Sequence, residues 1–218
     1  MAAPDAARIA GNLAAVRERI MAAGGSGVQV IAVTKTHPLE VLEDAVAAGC
    51  DGLGENYVQE IVAKLAGGPP PGPLHMIGTI QSNKVRKVAE VVSLWQSVDR
   101  ESVIAEIGRR AATGGCADVL LQVNAAGEEG KGGCTPAEID ALRGTAERHG
   151  VRVLGLMTVG PTEGGLAAAE PVFRLVRRLC DEGGMGVCSM GMSADYELAV
   201  ACGSTMVRIG SALLGSRT

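Results

Sequence analysis

Val28-Gln29-Val30-Ile31-Ala32-Val33-Thr34-Lys35 is apolar at nearly every position and ends on a lysine. Near-continuous apolarity marks a strand buried on both faces, as in a parallel sheet covered by helices. Just before it, a helical pattern over residues 5–23 stops at Gly24-Gly25. Just after it, Pro38 opens a helix to Ala48, a position where proline suits the first turn.

The alternation continues toward the C-terminus. Strands are expected at residues 52–54, 74–77, 94–98, 119–124, 153–159, 187–190 and 205–209. Helices are expected at 55–65, 83–91, 100–112, 166–181 and 194–201. Another begins at Thr135-Pro136-Ala137-Glu138, with Thr as N-cap, Pro first and Glu third. The segments 67–73 and 127–133 are loops, the second a flexible Gly/Glu/Lys stretch. Eight strand–helix units in 218 residues predict one (β/α)8 barrel with an extra N-terminal helix, a single domain over 1–218. Such barrels close from roughly 200 residues upward.

Hydrophobic residues make up 47% and aromatic ones 2%, so aliphatic layers must fill the core. The net charge of −4 and the lack of a basic run argue against a nucleic-acid surface; Lys84-Val85-Arg86-Lys87 is too short. No apolar stretch approaches the roughly 18 residues of a membrane span. Residues 1–19 carry Asp5, Arg8 and Arg17, unlike a signal peptide. Cysteines at 50, 116, 134, 180, 188 and 202 form no Cys-x-x-Cys pair and no zinc spacing. They read as reduced structural thiols of a cytoplasmic protein, with no metal site.

In a barrel of this kind, residues just after each strand gather on the C-terminal face, where active sites sit. Here they are Lys35, Glu55-Asn56, residues 78–83, Asn124, Met157-Thr158, residues 189–193 and residues 208–211. A lysine, an arginine and several Gly and Ser residues suit an anion that carries a carbonyl. Desolvation at the mouth favours the neutral amine of Lys35, which attacks aldehydes; the alternative is a lysine that snorkels to solvent. Arg208 can donate to a pyridine nitrogen without protonating it, or bridge a neighbouring carboxylate. Ser189-Met190-Gly191-Met192-Ser193 and Gly210-Ser211 follow strands seven and eight, where barrels bind phosphate. They can equally make tight turns and N-caps. Asn56 could pack against a bound ring, whereas His75 reads as a satisfied core histidine and Lys131 as a solvated loop residue.

Taken together the segments resemble the pyridoxal phosphate homeostasis family, single-domain relatives of the alanine racemase barrel. The matching stretches are Ala32-Val33-Thr34-Lys35, Gly54-Glu55-Asn56-Tyr57-Val58-Gln59-Glu60 and His75-Met76-Ile77-Gly78-Thr79-Ile80-Gln81-Ser82-Asn83-Lys84. Gln122-Val123-Asn124, Gly155-Leu156-Met157, Ser189-Met190-Gly191-Met192-Ser193 and Gly203-Ser204-Thr205-Met206-Val207-Arg208-Ile209-Gly210 follow in order. Thr79 and the loop Glu128-Glu129-Gly130 depart from the family's commoner residues.

The resemblance implies pyridoxal 5′-phosphate (PLP) as cofactor, with Lys35 as its Schiff-base lysine and Arg208 as the pyridine-nitrogen partner. It implies Ser193, Gly210 and Ser211 as phosphate ligands. Met192 and Asn56 are expected among the other cofactor-binding residues, Asn56 against the ring or on its phenolic oxygen. The implied role is to carry and buffer PLP within vitamin B6 and amino-acid balance, with amino acids and PLP-dependent apoenzymes as partners. The chain ends at Thr218, where a full racemase continues into a second domain that supplies a tyrosine base. A monomer without fast racemisation is therefore expected. The alternatives are a slow amino-acid racemase, with water or Tyr196 as second base, and a Schiff-base aldolase that uses Lys35 without PLP. Whether Lys84 or Lys131 holds a second PLP is not legible in the sequence.

Overall fold

The structure, a computed structural model, describes residues 5–215. Residues 1–4, part of the stretch read as unlike a signal peptide, and 216–218, the end of the expected domain, lie outside the described residues.

Helix α1 (Ala6–Ala22) starts where the Asp5 carboxylate accepts the Arg8 N–H at 2.9 Å. Its buried residues Ile9, Leu13, Val16 and Ile20 recur every three to four positions and form one face. Strand and helix then alternate: β1 (Gln29–Val33), α2 (Leu39–Ala47), β2 (Gly52–Glu55), α3 (Val58–Lys64), β3 (Leu74–Met76) and α4 (Ser82–Val85). The second half has β4 (Leu94–Val98), α5 (Glu101–Ala111), β5 (Asp118–Gln122), α6 (Ile139–Arg148), β6 (Arg152–Met157) and α7 (Gly165–Glu182). It closes with β7 (Val187–Ser189), α8 (Tyr196–Ala201), β8 (Met206–Ile209) and α9 (Ser211–Leu214).

The eight strands are parallel and follow chain order, and β8 pairs back to β1. Closure removes every sheet edge. Interior side chains Ile31, Leu94, Leu120, Met157 and Met206 make one cluster. The opposite strand faces pack on the helices in a much larger one. The interior is tight around the small residues of β2. A Cβ on Gly54 would lie 2.9 Å from Ile77 Cδ1, and one on Gly52 3.1 Å from Ile31 Cδ1. With so few aromatics, the single Trp95 and single Phe173 are both fully buried. Helix α1 packs against α2, α8 and α9, and Asn12 Nδ2 donates to the Leu213 carbonyl at 2.7 Å. It thus covers the seam between β8 and β1, which the one-turn α9 is too short to cover.

Three expectations shift. The helix expected over 83–91 is one turn, followed by i→i−3 bonds from Lys87 to Lys84 and from Val88 to Val85. Val85, Val88, Val91 and Val92 are β-branched and crowd a regular helix, so the segment tightens into turns. The helix expected from Glu55 starts at Val58, because Glu55 is the last, fully buried residue of β2. Val123 leaves β5 to bridge Cys134, which folds the 127–133 loop back on the strand end. At Thr135 the expected capping box is present.

Among the described residues no helix is long and apolar enough to cross a membrane. None of their His, Cys, Asp and Glu side chains cluster as a metal site. All six cysteines are free thiols.

Candidate cofactor site

Strand β1 stops at Val33, and the chain turns at once: the His37 N–H donates to the Thr34 carbonyl at 3.0 Å. Lys35 and Thr36 are the central residues of this turn, at the C-terminal mouth of the barrel. Lys35 is half-buried, and Thr36 takes φ 65°, left-handed backbone in a β-branched residue.

Arg208 lies beside Ile31 in the β1–β8 register and so shares its interior face. It is buried, and its guanidinium donates through Nη1 to Ser189 Oγ (2.6 Å) and through Nη2 to the Thr158 carbonyl (2.7 Å). Both partners are neutral. Among the described ion pairs none involves Arg208, so the bridge to a carboxylate is not what holds it. Burial lowers its pKa to about 10, which leaves it cationic at neutral pH.

A buried polar chain continues from Arg208 across the interior. Ser189 Oγ, having accepted from Arg208, donates to Gln96 Oε1 at 2.7 Å. Gln96 Nε2 then faces His75 Nδ1 at 2.8 Å. The amide orientation that satisfies Ser189 assigns Nδ1 as acceptor and leaves the ring proton on Nε2. Burial lowers the His75 pKa to about 4, so the ring is neutral. His75 is the satisfied interior histidine that the sequence suggested. Ser189, placed by sequence among the phosphate loops, instead supports Arg208 from below. Gln96 was missed; its signal was one amide on the interior parity of Leu94–Val98.

The loops after β7 and β8 are stitched together at the mouth. Ser193 Oγ accepts the N–H groups of Gly210 (3.3 Å) and Ala212 (3.2 Å). With two donors on its oxygen, its own proton is free to point elsewhere. The Arg208 N–H donates to the Gly191 carbonyl at 3.0 Å, which fixes the height of one loop against β8. Gly191 itself has φ 96°, and a Cβ there would sit 2.6 Å from Ala199 Cβ. Only glycine lets the loop pass so close to α8. Ser211 is exposed at the start of α9. Met192 is exposed, and its N–H is engaged by Asp195 Oδ1 at 2.6 Å.

Lys35 therefore has Arg208 and the Ser193–Gly210–Ser211 group on the β8 side and Asn56 on the β2 side. Asn56 Oδ1 is buried without a partner. Its backbone packs under Gly78, where a Cβ would meet the Asn56 carbonyl oxygen at 2.2 Å. Asn56, Thr79, Gln81 and Lys84 line a rim cavity of about 230 Å3. Lys131 is not a freely solvated loop residue: its Nζ donates to the Gly160 carbonyl (2.5 Å) and to Glu128 Oε2 (3.0 Å). Glu128 also accepts from the Thr162 N–H and hydroxyl, and these donors with Lys131 hold its pKa near about 2. The loop is pinned at the mouth for that reason. Tyr196 is buried, with its phenol facing Arg19 and Glu197 on the outer helices and not the mouth.

The family described as alanine racemase, N-terminal domain, matches residues 5–218. A "Pyridoxal phosphate homeostasis protein" of Pseudomonas aeruginosa is 39% identical over 219 residues, 97% of this chain and 95% of that protein. One of the same name from Schizosaccharomyces pombe is 37% identical over 213 residues, 93% of this chain and 90% of that one. Among solved structures, PipY of Synechococcus elongatus with PLP bound matches at TM-score 0.81 and 33% identity, covering 95% of this chain and 100% of that chain. An alanine racemase of Streptomyces coelicolor matches at TM-score 0.74 and 25% identity, covering 96% of this chain and 58% of that chain. Similarity over nearly the full length of these relatives means that the chain belongs to the pyridoxal phosphate homeostasis proteins, within the alanine racemase N-terminal domain family.

Proposed function

We propose that this protein binds PLP through Lys35 and carries it in a protected, exchangeable form, within vitamin B6 and amino-acid balance. The observation that carries the reading is Arg208: a buried cation at the barrel mouth whose two hydrogen-bond partners are both neutral. Desolvating such a charge costs on the order of several kcal/mol, which the Asp195 charge offsets only in part, since the net shift of the Arg208 pKa is still downward. The PLP-bound relative PipY supports the same ligand.

The residues present fit that group. PLP supplies an aldehyde that condenses with amines and a pyridine ring that accepts electrons. Lys35 is the amine at the mouth. Arg208 would hold the ring nitrogen by a hydrogen bond and keep its own proton, since even its lowered pKa of about 10 lies far above that of a pyridine. The free proton of Ser193 and the N–H and hydroxyl of Ser211, past Gly210, donate to the phosphate. Asn56 offers its unpartnered Oδ1 on the opposite side, and the exposed Met192 precedes Ser193 in the same loop.

The carrier role, with PLP-dependent apoenzymes and amino acids as recipients, is supported by the placement of the tyrosine weighed as a second base. Removing and returning a proton on both faces of an α-carbon needs a second base. The one tyrosine near the closing strands, Tyr196, faces Arg19 instead. Six free thiols suit a reducing cytoplasm, and we take the chain to act as a monomer. The test mixes PLP-loaded protein with a PLP-dependent apoenzyme and a scavenger of free PLP. Recovery of apoenzyme activity despite the scavenger supports carriage. Rapid solvent-deuterium uptake at the α-carbon of an amino acid, lost in Lys35→Ala, would contradict it in favour of a racemase.

A further inference from the structure

On the outer face of β1 and β2 three charged side chains converge beneath the turn that carries Lys35. Glu55 is fully buried, and its Oε1 accepts from Thr34 Oγ1 (2.6 Å) and Lys64 Nζ (2.7 Å). Lys64, 10% exposed at the end of α3, also donates to the Thr34 carbonyl (3.0 Å). It pairs in addition with Glu60 Oε2 (3.3 Å). That same Glu60 oxygen accepts the Thr36 N–H at 2.7 Å.

The Thr34 carbonyl belongs to the peptide group before Lys35, and the Thr36 N–H to the peptide group after it. Both planes that set the Lys35 backbone are therefore tied to one ion cluster. Thr36 at φ 65° is a strained β-branched residue, a conformation that holds only where its surroundings impose it. A buried ion pair is poor evidence of a stabilising role, because apolar packing serves stability as well or better. What apolar packing cannot do is accept one peptide N–H and cap one carbonyl on either side of a lysine. Burial pushes the Glu55 carboxyl pKa up, against the opposing pull of Lys64 and Thr34. Its Oε2 has no partner. Keeping such a carboxylate has a cost that the fold itself does not explain.

We propose that Glu60, Lys64 and Glu55 are positioning residues that fix the direction in which Lys35 presents its amine at the barrel mouth. The proposal rests on the reading of Lys35 as the cofactor lysine.

The test compares wild type, Glu60→Ala, Glu60→Gln and the double variant Thr36→Gly with Glu60→Ala. Apoprotein of each is mixed with PLP, and borohydride-trapped adduct on Lys35 is followed in time. Total bound PLP and apoprotein melting temperature are measured in parallel. Glu60→Ala is expected to form the adduct on the order of ten- to a hundred-fold more slowly, as misplacement of a reacting group by about 1 Å would. Total PLP binding stays near wild type. Glu60→Gln, which still accepts the Thr36 N–H, recovers the rate. Glycine at position 36 relieves the strain, so the double variant regains melting temperature without regaining rate. A wild-type rate in Glu60→Ala, or a rate that returns with stability in the double variant, would overturn the proposal. A wild-type protein that forms no adduct on Lys35 would overturn the cofactor reading, and the proposal with it.

Discussion

Arg208 Nη1 and Ser189 Oγ stand 2.6 Å apart in the barrel interior, and the Ser189 hydroxyl donates in turn to Gln96 Oε1. The guanidinium is thus oriented by hydrogen bonds but not neutralised by them. Such an arrangement favours ligand binding over stability of the empty protein.

Replacing Arg208 by Met should separate these two effects. Ser189 keeps its bond to Gln96, so the main loss is the partner of the Thr158 carbonyl, about 1–2 kcal/mol. The desolvation cost removed with the charge is on the order of several kcal/mol, larger than that loss. The Arg208→Met apoprotein should therefore melt no lower than wild type. Its affinity for PLP should fall on the order of ten-fold, about 1.4 kcal/mol. Calorimetric melting with and without PLP checks both; an unstable apoprotein with unchanged affinity would make Arg208 structural.

His75 gives the fold a pH dependence. Its folded pKa of about 4 lies below the ordinary 6.5, with burial as the cause. Between those values the unfolded chain binds the proton and the native ring resists it, so stability falls as pH drops through this window. The loss levels off below about pH 4 and amounts to about 3 kcal/mol at most. Melting of wild type and His75→Gln across pH 4 to 7 separates the histidine's contribution from that of the carboxylates. Wild type should lose stability relative to the variant on acidification; parallel profiles would sink the assignment.

Gly191→Ala should disturb the phosphate side of the site from a distance. The new Cβ meets Ala199 and the Tyr196 backbone, and φ 96° is strained for any side chain. A cost of about 2 kcal/mol or more is expected, or a melting temperature lower by roughly 5 °C in a chain of this size. PLP affinity should weaken as well, because Gly191 fixes the loop that carries Ser193. A variant with wild-type melting and affinity would show that the loop tolerates the shift.

The barrel was legible because several strands, β1 above all, are apolar runs that burial on both faces explains. Leu94–Val98 falls where its composition places it. Boundaries slipped where a distant partner decides them. Glu55 looks like a helix-starting acid in sequence, yet Thr34 and Lys64 hold it inside as the end of β2. The site was legible in the same measure. Lys35 and Ser193 were singled out by position after a strand, and Arg208 by its place near the end of β8. The support beneath Arg208 does not, since Ser189 and Gln96 meet across 93 residues of chain. Glu60 and Lys64, on a short helix, read as an ordinary i,i+4 surface pair, and only the closed fold brings them under the turn.

The measurement that tests the central claim most directly is the location of the borohydride-reduced adduct by peptide mass after PLP is added to the purified protein. The account predicts a visible absorbance band that reduction abolishes, and one pyridoxyl group on the peptide that contains Lys35. Loss of the adduct in Lys35→Ala, with some phosphate-anchored PLP retained, completes the expectation. An adduct spread over Lys84, Lys131 and surface lysines, equal in wild type and Lys35→Ala, would contradict it.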